Sequence, residues 1–390
     1  MVTFRKIAYQ LHLWIGLISG IIVFIVCITG AIWALNIYGW VDKDRLADIE
    51  VKSDSESYLK PSQLSDITQQ ILGITPTYVS YTKGGPVRLG TYARGNRASV
   101  LLNPYDGKVI EGQNLKINPS EKKEALKKFN FWNFIRQGHR ALWLPWDIGR
   151  PIVNYGTLAF AVVLITGLII WFPKSKKAAK SRFWFNWNKK TPAKRKLFDL
   201  HSVLGFYICF ILLAIACTGM VWGINWWSEG LYKVTSGGKD LPEWGTSKSD
   251  TLKIDTLMSP TLAADHIFEK LIAENPSAQG ISINFPDDKD KASVITATVS
   301  PEKDVYYNSD RYTFDRYSLQ EIKESGPYSG KYEDADFGDK LRRMNYEIHI
   351  GTIWGTPGRL LVFFSALFGA SLPVTGVYIF VKNRKRKKKK

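Results

Sequence analysis

Four stretches of this 390-residue chain contain no Asp, Glu, Lys or Arg: residues 7–41, 151–173, 200–228 and 360–381. Each has at least the roughly 20 apolar residues that a helix needs to cross about 30 Å of hydrocarbon. A segment in lipid must satisfy its own backbone polar groups, so runs of this kind are read as membrane-spanning helices. The first run is too long for a signal-peptide core, and no small-x-small cleavage site follows it.

Charge orients the four crossings. The chain has 53 Lys+Arg against 35 Asp+Glu, a formal net charge of +18. Such a surplus ordinarily suggests nucleic acid as a partner, but its distribution removes that reading. It lies in Arg5 and Lys6, in 174–199 with ten Lys/Arg and one Asp, and in the tail 382–390 with eight Lys/Arg. All three regions fall on one side of the crossings, the positive-inside pattern. Both termini and the 174–199 loop are expected in the cytoplasm, and the two long intervening segments outside. The run RFWFNWNKK (182–190) reads as interfacial, and the tail as a contact for anionic lipid. Cys27, Cys209 and Cys217 all fall within spans and read as packing residues. No CxxC or CxxCH occurs, so a disulfide scaffold, a thiolate zinc site and covalently attached haem are not indicated.

The two halves repeat. Leu11, His12, Gly16, Thr29-Gly30, Trp33 and Asn36 recur at a constant offset as Leu200, His201, Gly205, Thr218-Gly219, Trp222 and Asn225. Gly149-Arg150 with Thr166-Gly167 recurs in the same way as Gly358-Arg359 with Thr375-Gly376. Two crossings per copy make the repeats parallel, related by a pseudo-two-fold axis along the membrane normal. The outer segments have mixed α/β patterning. Helices are expected over 61–73, 261–274, 121–142 and about 334–350. Alternating runs are expected at 98–102, 293–299 and 311–322.

Four of the five histidines occupy repeat-equivalent positions at span ends. His12 and His201 lie near the cytoplasmic side, and His139 and His349 just before the second and fourth spans. His266, on an outer helix without a repeat partner, reads as a solvated surface residue. Ionisable groups at membrane depth are costly and are treated as functional candidates. The two-fold relation is expected to bring His12 against His201 and His139 against His349. Two facing imidazoles can hold a b-type haem as axial ligands, which makes His12, His201, His139 and His349 the candidate ligands of its iron. Gly16 and Gly205 lie one turn beyond their histidines, where a missing side chain leaves room for a macrocycle edge. The Thr-Gly pairs are expected to wall the haem held by the other helix pair. A non-haem metal, a proton relay or plain helix packing are the competing readings. Arg140, Arg150 and Arg359 can pair with haem propionates or snorkel to headgroups. Trp143, Trp146, Trp226, Trp227 and Trp354 gather at the same level, as an aromatic belt does.

At these residues the sequence resembles the PepSY-associated transmembrane family, which includes iron-regulated membrane proteins and ferric-siderophore reductases of the bacterial inner membrane. The likeness rests on LHLWIGLISG…TGAIW (11–33), HRALWLP…GR…TGLIIWFPK (139–174), DLHSVLGFY…TGM (199–220) and His349…PGR…TGVYIF (357–380). NPYDGKV (103–109) fits the strand-turn pattern of a PepSY module, whereas TFDRYSLQEI (313–322) lacks the turn glycine.

The resemblance implies a fold of four transmembrane helices as two parallel span–outer domain–span repeats with two periplasmic α+β PepSY-like domains. The expected organisation is a first span in 1–41, a PepSY-like domain with interfacial helix in 42–148, and a second span in 149–173. A basic cytoplasmic loop (174–199), a third span (200–228) and a second PepSY-like domain with interfacial helix (229–355) follow. The fourth span (356–382) and a basic tail (383–390) complete it. The family implies two bis-histidine haem b groups that carry electrons outward to a ferric chelate such as a ferric siderophore. The chain has no GxGxxG followed by an acidic residue and no P-loop. A separate cytoplasmic reductase or quinol is therefore expected as donor. The competing expectation is a non-enzymatic binding or regulatory membrane protein that contacts a peptidase or envelope partner.

Overall fold

A computed structural model describes residues 4–41, 49–51, 57–73, 75–91, 98–113, 130–173, 175–253 and 259–387. In chain order the helices are α1 (Phe4–Ile37), α2 (Pro61–Leu72), α3 (Phe131–Ala141), α4 (Trp146–Trp171), α5 (Lys176–Phe183) and α6 (Ala193–Asp199). They continue with α7 (Gly205–Met220), α8 (Asn225–Thr235), α9 (Pro260–Glu274), α10 (Phe337–Arg343), α11 (Asn345–Ile350) and α12 (Gly355–Lys387). The strands are β1 (Tyr78–Thr82), β2 (Val87–Thr91), β3 (Ala98–Leu102), β4 (Val109–Gln113), β5 (Gly280–Asn284), β6 (Ile295–Ser300) and β7 (Asp310–Phe314). The chain forms two compact units.

The first unit comprises Met1–Lys43, Phe129–Leu231 and Asn345–Lys390. Four helices in it are long and apolar enough to cross a membrane: Phe4–Ile37, Trp146–Trp171, Ala193–Met220 and Thr352–Lys382. This is a multi-pass membrane protein. Within the bundle α1 packs against α4 and α12, and α7 packs against the same two helices. Val23, Phe160, Leu164, Ile208, Cys209 and Leu212 form the buried core where they meet. Cys27 packs on that core from α1, so these thiols serve as small apolar side chains.

The third span differs from its expected form at both ends. It begins at Ala193, and a π-helical turn, Leu200–Leu204, interrupts it around His201. It ends at Met220 rather than running to 228. Gly223 stands where the first copy has Ala34, and glycine weakens a helix by about 1 kcal/mol relative to alanine. Its carbonyl accepts from Asn154 Nδ2 at 3.0 Å, and a Cβ there would lie 2.1 Å from that amide nitrogen. A hydrogen bond from α4 thus takes the place of the helical continuation.

The second unit comprises Asp44–Lys128 and Tyr232–Met344. Its strands form one antiparallel sheet of order β4-β3-β2-β1-β5-β6-β7. The two outer segments, expected as separate domains, share this sheet through the pairing of β1 with β5. Each strand would otherwise present a row of unpaired backbone groups, and joining them removes both edges. The register centres on Ser80 opposite Ser282, whose hydroxyls are 2.7 Å apart. Val79 and Tyr81, Val87 and Leu89, Ile281 and Ile283, and Ile295, Ala297 and Val299 alternate onto one face. There they bury against Leu64 of α2 and Ile267 and Leu271 of α9.

Helices at 61–72 and 260–274 and a strand at 98–102 match the sequence expectations. The expected 334–350 helix is two short ones, α10 and α11. Of the expected 121–142 helix, α3 covers Phe131–Ala141, and residues 121–129 lie outside those described. The expected 311–322 run stops at Phe314 in a turn.

That turn repeats the one after β3 without its glycine. In NPYDG the Gly107 N–H donates to the Asn103 carbonyl at 2.9 Å and φ is +72°. In DRYSL the Leu319 N–H donates to the Asp315 carbonyl at 3.0 Å and φ is +58°. A non-glycine residue in this region costs roughly 1–2 kcal/mol. The Asp315 carboxylate offsets that cost by accepting from the N–H groups of Asp250, Tyr317 and Ser318. Burial works against its charge, but these donors outweigh it and hold the carboxyl below the usual range. Stability from such a group is present above the unfolded-state pKa of about 3.9 and is lost as pH falls through the lower folded value. Asp315→Ala is expected to lower unfolding stability by about 1–3 kcal/mol near neutral pH. The difference from wild type should shrink in acid, as measured by denaturant titration of the full chain.

Candidate functional site

The four repeated histidines all belong to the membrane unit. His12 lies on α1, His201 in the π turn before α7, His139 on α3 and His349 on α11. Eighteen residues of α1 separate His12 from Gly30, against which His139 packs, or about 27 Å of helix. The structure brings His12 and His201 together, with ring centroids 6.2 Å apart and planes at 86°. His139 and His349 both line one cavity of about 390 Å³.

Each ring sits beside a Thr-Gly pair of another helix. His12 Nδ1 is 2.9 Å from the Val163 carbonyl, and its Cε1 lies 3.1 Å from where a Cβ on Gly167 would stand. His139 Nδ1 is 2.9 Å from the Val26 carbonyl, and a Cβ on Gly30 would come within 2.9 Å of its ring. His349 Nδ1 is 3.1 Å from the Ile215 carbonyl and 3.0 Å from Thr218 Oγ1, beside Gly219. His201 Nδ1 is 2.9 Å from Thr375 Oγ1, beside Gly376, with the Leu372 carbonyl as a further partner.

One local pattern therefore appears four times. A Thr-Gly pair on a span provides a gap in place of a side chain, and a carbonyl three residues before the Thr faces the incoming ring. The Thr-Gly pairs, expected as walls of the cofactor, are cradles for the histidines. The reciprocity is internal to each half: α4 cradles His12 of α1, and α1 cradles His139. A carbonyl acceptor on Nδ1 makes that nitrogen the donor, which leaves Nε2 as the lone-pair-bearing atom. No Nε2 of the four is hydrogen-bonded among the described residues.

The cavity has two chemically different parts. Ile22, Val23, Phe160, Leu212 and Ala216 line an apolar part that extends toward the middle of the bundle. Arg140 and Arg150 line its other part, and both guanidinium groups sit 4.7 Å from the Trp146 ring centre. Arg150 also donates to the Trp222 carbonyl. Arg359, expected beside them, is not itself a lining residue, but its guanidinium is 5.8 Å from the ring centre of Tyr38, which is.

Gly16 faces Val163 and Gly205 faces Leu372, where an added Cβ would make ordinary contacts at 3.8 and 3.6 Å. Two residues prominent only as repeated letters prove to touch the site. Trp33 lies edge-on to His139 at 5.6 Å, and Trp222 edge-on to His349 at 5.1 Å. Trp146 joins the cavity wall, whereas Trp226, Trp227, Trp143 and Trp354 do not line it. Among the described residues no group of three or more His, Cys, Asp or Glu converges.

A comparison with curated proteins finds no match for the chain. Its family is shown by a match that covers nearly all of its length. The chain belongs to the family defined by the PepSY-associated TM region, which matches residues 9–383.

Proposed function

We propose that the chain is a di-haem b electron-transfer protein of the bacterial cytoplasmic (inner) membrane. In this reading it reduces a ferric chelate such as a ferric siderophore at the periplasmic face. Electrons come from a separate cytoplasmic reductase or from quinol. Both termini are cytoplasmic, as the basic segments argue.

The carrying observation is the geometry of the four imidazoles. With a metal–nitrogen distance of about 2 Å, two imidazoles that held one ion between them would have ring centres roughly 6 Å apart. The His12 and His201 rings are 6.2 Å apart. Two imidazoles complete the protein's share of a six-coordinate porphyrin iron, whereas a bare ion would call for further protein donors. The second pair lines a cavity whose two parts match a flat apolar ring bearing carboxylates. His139 and His349 would hold its iron, and Arg140 and Arg150 present guanidinium groups suited to carboxylates.

Haem b bound at each pair supplies a one-electron couple at each end of the bundle. The chain's own residues hold the rings, fix their tautomer and exclude water from the apolar part of the cavity. A water-soluble chelate cannot enter hydrocarbon, so its approach is confined to the end where Arg140, Arg150 and Trp146 stand. No general acid or nucleophile is required there, only proximity and attraction for an anionic chelate.

The test uses the purified full chain. A pyridine haemochrome assay is expected to give about two haems b per chain, with no covalently attached haem. Dithionite-reduced protein mixed with ferric siderophore and a ferrous trap should reoxidise while iron(II) is captured. A colourless protein would reject the proposal and favour a binding or regulatory role for the family's outer domains.

A further inference from the structure

The four cradles have the same sequence, Thr-Gly, yet they do not hold their rings in the same way. All four threonine hydroxyls donate to carbonyls of their own helix. Thr375 Oγ1 reaches Ser371 O at 2.9 Å, Thr218 Oγ1 reaches Ala214 O at 2.8 Å, Thr166 Oγ1 reaches Val162 O at 2.8 Å, and Thr29 Oγ1 bonds Ile25 O. A hydroxyl has one proton, so each oxygen has only lone pairs left to offer a histidine.

The histidines take up that offer unequally. In the first half the carbonyl is the short partner. His12 Nδ1 is 2.9 Å from Val163 O but 3.5 Å from Thr166, and His139 bonds Val26 O at 2.9 Å. In the second half the hydroxyl competes with the carbonyl or leads it. His349 lies 3.0 Å from Thr218 Oγ1 and 3.1 Å from Ile215 O, and His201 is 2.9 Å from Thr375 Oγ1. Each pair thus joins a ring held chiefly by a carbonyl to one that shares a carbonyl and a threonine hydroxyl.

We infer that Thr375 and Thr218 are positioning residues that set the electron-donating strength of His201 and His349 toward a bound metal, a task in which the equivalent Thr166 has a weaker part and Thr29 none. The inference rests on the haem reading above. An acceptor on the remote ring N–H raises the basicity of the ligating nitrogen and fixes ring orientation. A more basic imidazole favours oxidised iron. Removing the acceptor therefore moves the midpoint potential of that haem upward. A backbone carbonyl survives side-chain substitution, so the same change in the first half leaves the main acceptor in place. The π turn that carries His201 (Leu200–Leu204) has no counterpart at His12 within α1, which gives a structural reason for the difference in docking.

The experiment compares Thr375→Val, Thr218→Val, Thr166→Val and Thr29→Val in the purified full chain. Haem content by pyridine haemochrome is measured first, then potentiometric titration followed in the visible spectrum. Valine matches threonine in shape, so haem content should stay at the wild-type value in all four. Thr375→Val is expected to raise the potential of one component and Thr218→Val that of the other, each shift being partial because the Leu372 and Ile215 carbonyls remain as acceptors. Thr166→Val should give a smaller shift still, and Thr29→Val none. Thr375→Ser should restore the wild-type potential, which a purely steric role would not require. Equal shifts in all four variants, or no shift in Thr375→Val with both haems bound, would overturn the inference while leaving the haem reading intact. Absence of haem from the wild type would overturn that reading and this inference together.

Discussion

His201→Ala is expected to abolish one haem b spectral component outright, and His12→Ala to abolish the same one. Haem content should fall from about two to about one per chain in each. His139→Ala and His349→Ala should remove the complementary component. The expectation follows from the 6.2 Å approach of the His12 and His201 rings and from the cavity shared by His139 and His349. A missing axial ligand cannot be replaced from nearby, because no third His, Cys, Asp or Glu converges on either pair among the described residues. The His349→Ala protein should also separate the two ends functionally. Its remaining haem should still be reduced by dithionite, while reoxidation by ferric siderophore slows at least about tenfold, an added barrier of roughly 1.4 kcal/mol or more. Reoxidation at the wild-type rate would show that the His139–His349 end is not on the path. Loss of both components in every variant would indicate a folding role for the histidines.

The cradles support a second large effect. Gly30→Ala is expected to lose the component held by His139, because the new Cβ would stand 2.9 Å from Cε1 and 3.1 Å from Nδ1 of that ring. The ring cannot simply retreat: its Nδ1 is bonded to Val26 O, and Trp33 lies edge-on to it. Forcing extra volume into a packed site costs about 1–3 kcal/mol, and on the haem reading the displaced ring is a ligand. Gly376→Ala is the graded comparison. Its Cβ would sit 3.4 Å from His201 Cε1, at the edge of ordinary contact, so that variant should keep both components. Gly230→Ala, with nothing within 4 Å, should match wild type throughout. Spectra and haem content of the three variants give the ordering. Retention of both components by Gly30→Ala would show that the ring does not depend on the gap.

The membrane class, the number of spans and the partnership of the histidines were all legible in the residues. Charge-free runs depend on local composition alone, because the cost of a charge in hydrocarbon is paid residue by residue. The histidine pairs were legible because two copies of one motif imply a symmetry relation before any coordinates exist. Tertiary structure decided what the Thr-Gly pairs do. A glycine in a span is a gap, and only the packing of another helix determines whether a neighbour, a ring or a cofactor fills it. Gly30 lies more than a hundred residues from His139, and nothing local to either joins them. Packing likewise distinguished Arg140 and Arg150, which line the cavity with Trp146, from Arg359, which reaches only the ring of the lining residue Tyr38.

The second unit shows the same division. Strand alternation at 98–102 and the NPYDG turn were visible locally. The pairing of β1 with β5 was not, because backbone edges carry no sequence label. Leu319 could take the place of glycine only because Asp315 gathers N–H donors from its own turn and from Asp250, sixty-five residues away. The sequence by itself determined that four segments can span a membrane and which histidines stand at equivalent places in the repeat, since both follow from composition and repetition. The docking of each ring, the joined sheet and the break after Met220 belonged to the tertiary structure, since each depends on contacts between residues far apart in the chain.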